Sequence, residues 1–149
     1  HLYEADYNLM LCVKHRDLIH RMNDNKIIND GIYSSRPGFS AIDPVFIEEL
    51  QKKHNRLTRN SQIKMDVDLC YDRIIPSLEM LVLQKYGMHK NVCVVQGKTL
   101  HEVEYKLKTG MGVSENSYKH CLMFPIYGTG QGSSSSPVVW LVILNHLIE

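Results

Sequence analysis

The segment that most constrains the fold is 128–148, where a stretch rich in glycine and serine runs directly into an apolar one. Nine of the twelve residues from 137 to 148 are apolar, so a helix formed here is apolar on nearly every side. Such a helix is stable only inside a core, and it is too short for a membrane span, which needs about 20 residues. Ser136 suits the N-cap and Pro137 the first helical position. The sequence therefore predicts a tight loop over 128–135 that leads into a buried helix.

The composition is that of an ordinary globular domain. The chain has 149 residues, of which 44% are hydrophobic and 22% are charged, and this excludes an extended disordered chain. A formal net charge of +1 excludes a general polycation. The four cysteines form no CxxC pair, which favours free thiols in a reducing, intracellular compartment over disulfides or a zinc site.

Three further helices are predicted from apolar periodicity and from residues that start or stop helices. The first covers about 5–30, before a break at 29–40 that is rich in glycine, serine and proline. The second begins with Asp43 as N-cap and Pro44 behind it, and the third follows Pro76 and ends at Gly87. The predicted apolar faces are, in order, Leu9, Val13, Ile19 and Met22; Phe46, Leu50 and Leu57; and Leu78, Leu81, Val82 and Tyr86.

One strand is predicted at 62–67, where Ile63, Met65 and Val67 alternate with polar residues. Asp66 lies inside this strand, and an unpaired charge there is costly without a cation or another partner. Magnesium prefers oxygen ligands and takes one or two carboxylates together with phosphate oxygens. Asp66 is therefore the predicted metal ligand, whereas Asp72 fits a turn or helix-capping role.

The glycine-rich stretch at 128–132 is weak evidence for a phosphate site when it is taken alone. Glycine permits close approach of the backbone to a ligand, and helix N-termini attract phosphate. The stretch lacks the GK[ST] ending of a Walker loop, and the sequence contains no GxSxG esterase motif.

Two segments together resemble motifs of the reverse transcriptase family, in its group II intron and non-LTR retroelement branches. Residues 66–72 (DVDLCYD) match a pattern D-x-x-x-x-[FY]-D on the first palm strand. About 60 residues later, 128–137 (GTGQGSSSSP) come close to G-x-P-Q-G-x-x-x-S-P at the start of a palm helix. Residues 34–43 (SSRPGFSAID) are similar to a degraded G-F-R-x-G-R-S segment of the fingers.

The resemblance implies an α+β fold. It would be a helix-rich fingers–palm fragment of a polymerase right-hand fold with a short palm sheet. Residues 1–42 would form part of the fingers, and 43–149 part of the palm with the first catalytic strand and the nucleotide-pocket loop and helix. The implied activity is RNA-directed DNA polymerisation, in which two metal ions clamp the attacking and leaving oxygens.

The resemblance also implies residue roles. Asp66 would be the catalytic residue and a Mg²⁺ ligand, and Tyr71 would pack under the sugar and reject a 2′-hydroxyl. The remaining nucleotide-binding positions would be Val67, Leu69, Cys70, Gln131 and Gly132. Template contacts would come from Arg36, Lys52, Lys53 and Arg56. The partners would be an RNA template, a DNA or RNA primer, deoxynucleoside triphosphates and the rest of a larger polyprotein, without a membrane.

The departures from the family pattern set the expected limits. Gly130 stands where the family has proline, so a mobile loop over 128–135 is expected. The family's next motif contains two adjacent aspartates, and no such pair occurs in the sequence. We therefore expect a truncated enzyme that does not polymerise by itself, with an exposed apolar patch on the helix at 137–148. The alternatives are a non-catalytic nucleic-acid-binding remnant of a retroelement and an unrelated α/β interaction domain.

Overall fold

The apolar segment after Ser135 forms a helix that is buried, as the sequence predicts. In the computed structural model, which describes residues 5–64, 66–123, 125–129 and 133–148, this helix is Ser136–Ile148. Its buried residues are Ser136, Val139, Leu141, Val142, Ile143 and Asn145. The exposed apolar side chains are at its end, Leu147 and Ile148. The prediction that this helix exposes an apolar patch is therefore wrong for most of the helix.

The described residues form an α+β fold that is mostly helical. The helices are α1 (Ala5–Asp24), α2 (Ile42–Thr58), α3 (Pro76–Lys85), α4 (Lys90–Glu102) and α5 (Ser136–Ile148). The strands are β1 (Glu104–Tyr105), β2 (Lys108–Thr109), β3 (Gly112–Val113) and β4 (Tyr118–Lys119). β1 pairs with β4 and β2 with β3, both antiparallel, and each pair forms a separate two-stranded sheet. Across the described ranges, no helix is both long enough and apolar enough to cross a membrane.

The core lies where α1, α3, α4 and α5 meet. It contains Leu18 and Met22 of α1, Val82 and Leu83 of α3, Cys93 of α4 and four residues of α5, with Ile28, Ile32 and Ile74 from the connections. The core is continuous across residue 42, which is the predicted boundary between fingers and palm. All four cysteines are free thiols.

Four of the five helices in the described residues were predicted, α4 being the exception, and the faces that these helices bury were predicted less well. On α1 the buried residues are Leu11, His15, Leu18, Ile19 and Met22, while the predicted core positions Leu9 and Val13 are exposed. On α3 the buried residues are Pro76, Glu79, Val82 and Leu83, and the predicted Leu78 and Leu81 are exposed. Each buried face includes one polar residue, His15 on α1 and Glu79 on α3. The apolar residues alone therefore indicated a different face of each helix from the one that packs.

The predicted strand at 62–67 is wrong for the residues that the structure describes there. Residues 61–64 and 66–67 have no strand pairing, and Ile63 and Val67 are exposed. A strand is stable only when a neighbouring strand satisfies its backbone N–H and C=O groups, and the alternation of side chains cannot supply that neighbour. The strands of the described residues form instead within 104–119, where a tight turn joins β2 to β3 and the chain then returns to pair β4 with β1.

Asn145 joins α5 to the connection after α1. Its side chain is fully buried, and its Oδ1 accepts a hydrogen bond from the Asn29 N–H at 2.7 Å. Its Nδ2 donates to the Ile27 carbonyl at 3.3 Å and to the Tyr86 hydroxyl at 3.2 Å. One amide therefore satisfies backbone groups of a loop that is distant in sequence.

Glu79 and Gln96 form a second buried polar pair, between α3 and α4. The Gln96 amide Nε2 donates to Glu79 Oε1 at 2.5 Å. Glu79 Oε2 and Gln96 Oε1 are buried and make no hydrogen bond within the described chain. Burial raises the pKa of the Glu79 carboxyl to about 8, although the bond from Gln96 lowers it. A protonated Glu79 supplies the O–H donor that the two unsatisfied oxygens lack.

Replacing Asn145 by alanine should destabilise the protein by roughly 2–3 kcal/mol, because the Asn29 N–H and the Ile27 carbonyl lose their buried partner. Chemical denaturation monitored by circular dichroism measures the change. Asn60→Ala, at an exposed position outside the helices, is the matched control and should change the unfolding free energy by less than about 0.5 kcal/mol. Equal effects of the two substitutions would contradict the structural role of Asn145.

Glu79→Gln should remove a pH dependence from the folding free energy. The folded state holds the Glu79 proton up to about pH 8, whereas an unfolded glutamate releases it near 4.5. The stability contribution is thus complete below about pH 4.5 and declines as the pH rises to 8, by about 1.4 kcal/mol for each pH unit. Tyr7 and Cys93 interact electrostatically with Glu79. Burial raises the pKa of both residues, so they stay neutral between pH 4.5 and 8.

The measurement is the unfolding free energy of the wild type and of Glu79→Gln at pH 5 and pH 8. The two proteins should be similar at pH 5, and the variant should be the more stable at pH 8. Glu102→Gln, at an exposed position, is the control and should follow the wild type at both pH values. A difference between wild type and Glu79→Gln that does not change with pH would show that Glu79 is not protonated in the fold.

Candidate functional site

The segment from Asp68 to Arg73 forms a tight turn directly after Asp66. The Leu69 carbonyl accepts hydrogen bonds from the Asp72 N–H at 3.0 Å and from the Arg73 N–H at 3.1 Å. Leu69 has a φ of 53°, a left-handed conformation that is uncommon for a residue with a side chain of this size. Strained backbone of this kind is often found in ligand-binding turns, although the strain alone does not identify a ligand.

The turn presents backbone amides that donate to no other described residue. In the described part of the chain, the N–H groups of Val67, Leu69 and Cys70 donate no hydrogen bond. Val67 and Leu69 are exposed, and Cys70 is half-buried. Consecutive amides next to a left-handed residue can form a concave site for an anion. These are the positions at which the family resemblance expects the triphosphate.

The two segments that carry the resemblance meet in the structure, backbone to backbone. The Gly128 N–H donates to the Ile74 carbonyl at 2.8 Å, and the Thr129 N–H donates to the Tyr71 carbonyl at 3.2 Å. A Cβ on Gly128 would lie 3.1 Å from both the backbone carbonyl oxygen of Tyr71 and the Cα of Asp72. The φ of Gly128 is 107°. Only glycine fits this conformation and this close approach without strain.

Hydroxyl groups hold the residues that follow in place. Thr129 Oγ1 donates to Ser136 Oγ at 3.0 Å, and the Ser133 and Ser135 hydroxyls are 2.8 Å apart. These four residues are buried. Ser134 Oγ donates to the Asn8 carbonyl of α1 at 3.3 Å. Ser133, Ser135 and Ser136 are thus packed in the fold, and the mobility predicted for 128–135 stays a prediction.

The predicted residues Gln131 and Gly132, together with Gly130, lie outside the described residues, as does Met65. Asp66 is described and is exposed, without an ion pair to any other described residue. Asp66 therefore does not lie in an apolar strand. Because its carboxylate is exposed, the argument that a buried charge needs a partner does not apply to it. Tyr71 is half-buried. Its sugar-packing role stays a prediction.

The described residues fit a metal ion only in part. Among them, no group of three or more histidine, cysteine, aspartate or glutamate side chains could hold one. Asp68, close to Asp66 in sequence, lies 3.8 Å from the Arg73 guanidinium. A single exposed carboxylate is a weak site for free Mg²⁺, but it can complete a coordination sphere in which phosphate oxygens are the other ligands.

The four predicted template contacts differ in how they are engaged. The Arg36 guanidinium donates to Asn23 Oδ1 at 2.9 Å, lies 3.6 Å from Asp30 and covers the Phe39 ring at 4.6 Å. Lys52 pairs with Glu48 at 2.9 Å and with Glu49 at 2.6 Å. Lys53 and Arg56 are exposed on α2 and form no ion pair within the described ranges. The contacts of the Arg36 guanidinium with Asn23, Asp30 and Phe39 give this residue a structural role.

The sequence indicated the importance of Gly128 but not its neighbour. Glycine at this position was interpreted as a means of approach to a ligand, whereas the group approached is the turn at Tyr71 and Asp72. Thr129 was not singled out, and its buried hydroxyl and amide join the turn to the start of α5. The mixture of Gly128, Thr129 and serine residues before an apolar helix was the available signal.

Comparison with known proteins adds no family to this geometry. No protein-family model, no curated protein and no solved structure matches the chain.

Gly128→Ala should destabilise the protein by roughly 1–3 kcal/mol, because the new methyl group would press on the backbone of the 71–72 turn and φ is positive. Gly110→Ala is the matched control, since nothing lies within 4 Å of its Cβ position. Denaturant unfolding gives the free energies, and amide exchange at Thr129 reports whether the contact with Tyr71 has opened. Equal stability of the two variants would mean that the segments do not meet as described.

Proposed function

We propose that the chain is part of an RNA-directed DNA polymerase and that residues 66–72 and 128–137 form its site for the incoming nucleotide. The observation that carries this proposal is the pair of backbone hydrogen bonds between the two segments, Thr129 to Tyr71 and Gly128 to Ile74. Segments that resemble two motifs of one active site are expected to converge. An unrelated domain in which both resemblances were accidental has no reason to bring them together.

The chemistry of the turn supports a phosphate ligand. The N–H groups of Val67, Leu69 and Cys70 have no acceptor among the described residues, and such groups suit the phosphate oxygens of a deoxynucleoside triphosphate. Asp66 is close to them in sequence and exposed, and it would hold Mg²⁺ bound to those phosphates. When bound, the metal supplies charge neutralisation for phosphoryl transfer. Tyr71 would stack under the sugar, while Gln131 and Gly132 would line the pocket.

The proposed partners follow from this reaction. An RNA template and a DNA or RNA primer would contact the exposed Lys53 and Arg56 more readily than Arg36, whose guanidinium is occupied. The two-metal reaction needs carboxylates on both sides of the metal pair, and the described residues offer Asp66 on one side. The rest of a larger polyprotein is a further partner that the family resemblance implies.

Binding of a fluorescent deoxynucleoside triphosphate to the 149-residue chain, followed by anisotropy with and without Mg²⁺, tests the proposal. We expect weak binding that requires Mg²⁺ and becomes at least about tenfold weaker in Asp66→Asn, which corresponds to roughly 1.4 kcal/mol. Asp24→Asn, at an exposed position at the end of α1, is the control and should bind as the wild type does. Binding that is independent of Mg²⁺, or equally weakened in both variants, would refute the assignment.

A further inference from the structure

The carboxyl group of Glu79 is enclosed between α3 and α4. The residue is fully buried, and its Oε1 accepts a hydrogen bond from the Gln96 amide of α4 at 2.5 Å. Its other oxygen, Oε2, is buried and has no partner among the described residues. No cationic side chain in the described part of the chain lowers its pKa. A negative charge is strongly disfavoured in such surroundings, whereas a neutral carboxylic acid is tolerated.

The titratable groups that interact with Glu79 come from α1 and α4. Burial raises the pKa of the Tyr7 hydroxyl and of the Cys93 thiol, and the charge of Glu79 raises each of them further. Both groups are therefore neutral near pH 7, and neither can offset a negative charge on Glu79. Among the described residues, an ionised Glu79 has no counter-charge.

Cys93 is covered by the same contact between helices. It lies one turn before Gln96 on α4, so the two residues share a side of the helix. Cys93 is fully buried, and its thiol forms a hydrogen bond with the Gln84 side chain of α3. Cys12 and Cys121, by contrast, are exposed. A thiol reagent in solution therefore reaches Cys93 only when α4 moves away from α3.

Helix α4 has a smaller share of the core than the helices around it. It packs chiefly against α3, and Cys93 is its contribution to the central apolar cluster, whereas α5 contributes four residues. Its other buried residues are Gln96 and Leu100, and its Thr99 forms a hydrogen bond with Tyr7 of α1. The strands that follow α4 pair only with one another within the described ranges. A segment with few buried apolar contacts opens at a lower free energy than the whole domain unfolds.

We propose that loss of the Glu79 proton releases α4 from α3 and thereby exposes the Cys93 thiol to solvent. In the closed form an ionised Glu79 would be buried beside Gln96 Oε1, another oxygen that has no donor among the described residues. In the released form water solvates the carboxylate, while α1, α3 and α5 keep their packing. Helix α4 is then a pH-dependent cover for Cys93. The proposal is independent of the nucleotide site, since it uses no residue of 66–72 or 128–137.

The pH dependence of the release follows from the pKa of Glu79 in the two forms. In the closed form Glu79 keeps its proton up to about pH 8, whereas a solvated glutamate loses it near 4.5. Between these pH values each release sets one proton free, so the equilibrium constant for release rises about tenfold with each pH unit. Below 4.5 the carboxyl is protonated in both forms, and above 8 it is ionised in both, so the dependence disappears.

The test is the rate at which N-ethylmaleimide labels Cys93 in the folded 149-residue chain at pH 6, 7 and 8, measured by mass spectrometry of the peptides. Dividing this rate by that of Cys12 removes the pH dependence of the reagent, because both residues react as thiolates. The ratio should rise about 100-fold from pH 6 to pH 8 in the wild type. It should stay constant in Glu79→Gln, whose side chain cannot ionise.

Glu102→Gln, at an exposed position at the end of α4, is the matched control and should follow the wild type at every pH. Circular dichroism shows whether Glu79→Gln is folded, and Glu79→Leu, which also cannot ionise, replaces it if it is not. A wild-type ratio that does not change with pH would overturn the proposal. The same pH dependence in the variant that lacks the carboxyl would overturn it as well.

Urea distinguishes release of α4 from unfolding of the whole chain. Release exposes little surface, so labelling of Cys93 should depend only weakly on urea below the unfolding transition. Amide exchange at Val142 of α5 should report a larger opening free energy than the labelling of Cys93 does. If labelling instead follows the full urea dependence of global unfolding, Cys93 is exposed only in the unfolded chain and the proposal is wrong.

Discussion

The burial of α5 on nearly every side is the constraint on which the remaining structure depends. Val139, Leu141, Val142 and Ile143 are buried, and they join a core built from α1, α3 and α4. Burying an aliphatic side chain of this size contributes about 1.5–3 kcal/mol. Because α5 starts at Ser136, its place in the core also determines where the preceding loop lies. Gly128 and Thr129, which precede α5, contact the backbone at Tyr71 and Ile74.

Polar groups inside this core give it a particular arrangement. The Asn145 amide satisfies the Asn29 N–H and the Ile27 carbonyl, so α5 cannot rotate or slide without leaving buried groups unpaired. Glu79 and Gln96 act similarly between α3 and α4, with a carboxyl that burial keeps protonated near neutral pH. The Thr129 and Ser136 hydroxyls bond to each other where the loop enters α5. Each contact is short-ranged and directional, whereas the apolar packing around it is not.

The candidate site and the exposed apolar side of α2 present different chemical groups to solvent. At the site, backbone meets backbone so closely that Gly128 has no room for a side chain, and the adjacent turn leaves amides without partners in the described residues. Fixed amide dipoles and one exposed carboxylate suit a charged ligand. On α2 large apolar side chains are exposed. The acidic residues of this helix lie mainly in its first half and the basic residues in its second half.

Local signals in the sequence determined where α3 and α5 begin, whereas α4 was not predicted and α1 ends at Asp24 rather than near residue 30. Pro76 and Gly87 bound α3, and Ser136 and Pro137 start α5, because capping and backbone restriction act over a few residues. Asp43, predicted as the N-cap of α2, instead lies in its first turn, where its carboxylate accepts from the Ser40 N–H at 2.5 Å. The apolar run of α5 was enough to predict its burial. The meeting of 66–72 with 128–137 could be expected only from the family resemblance.

Tertiary structure decided which face of each helix is buried. His15 and Glu79 lie in the buried stripes of α1 and α3, and no local rule places a titratable group there. It also decided that 62–64 and 66–67 stay unpaired, that Gly128 approaches the chain's own turn, and that the apolar side of α2 faces outward. Each of these outcomes depends on what lies across a gap of tens of residues. Capping and turn signals act over a few residues, but strand pairing and burial depend on the segments that pack against a residue.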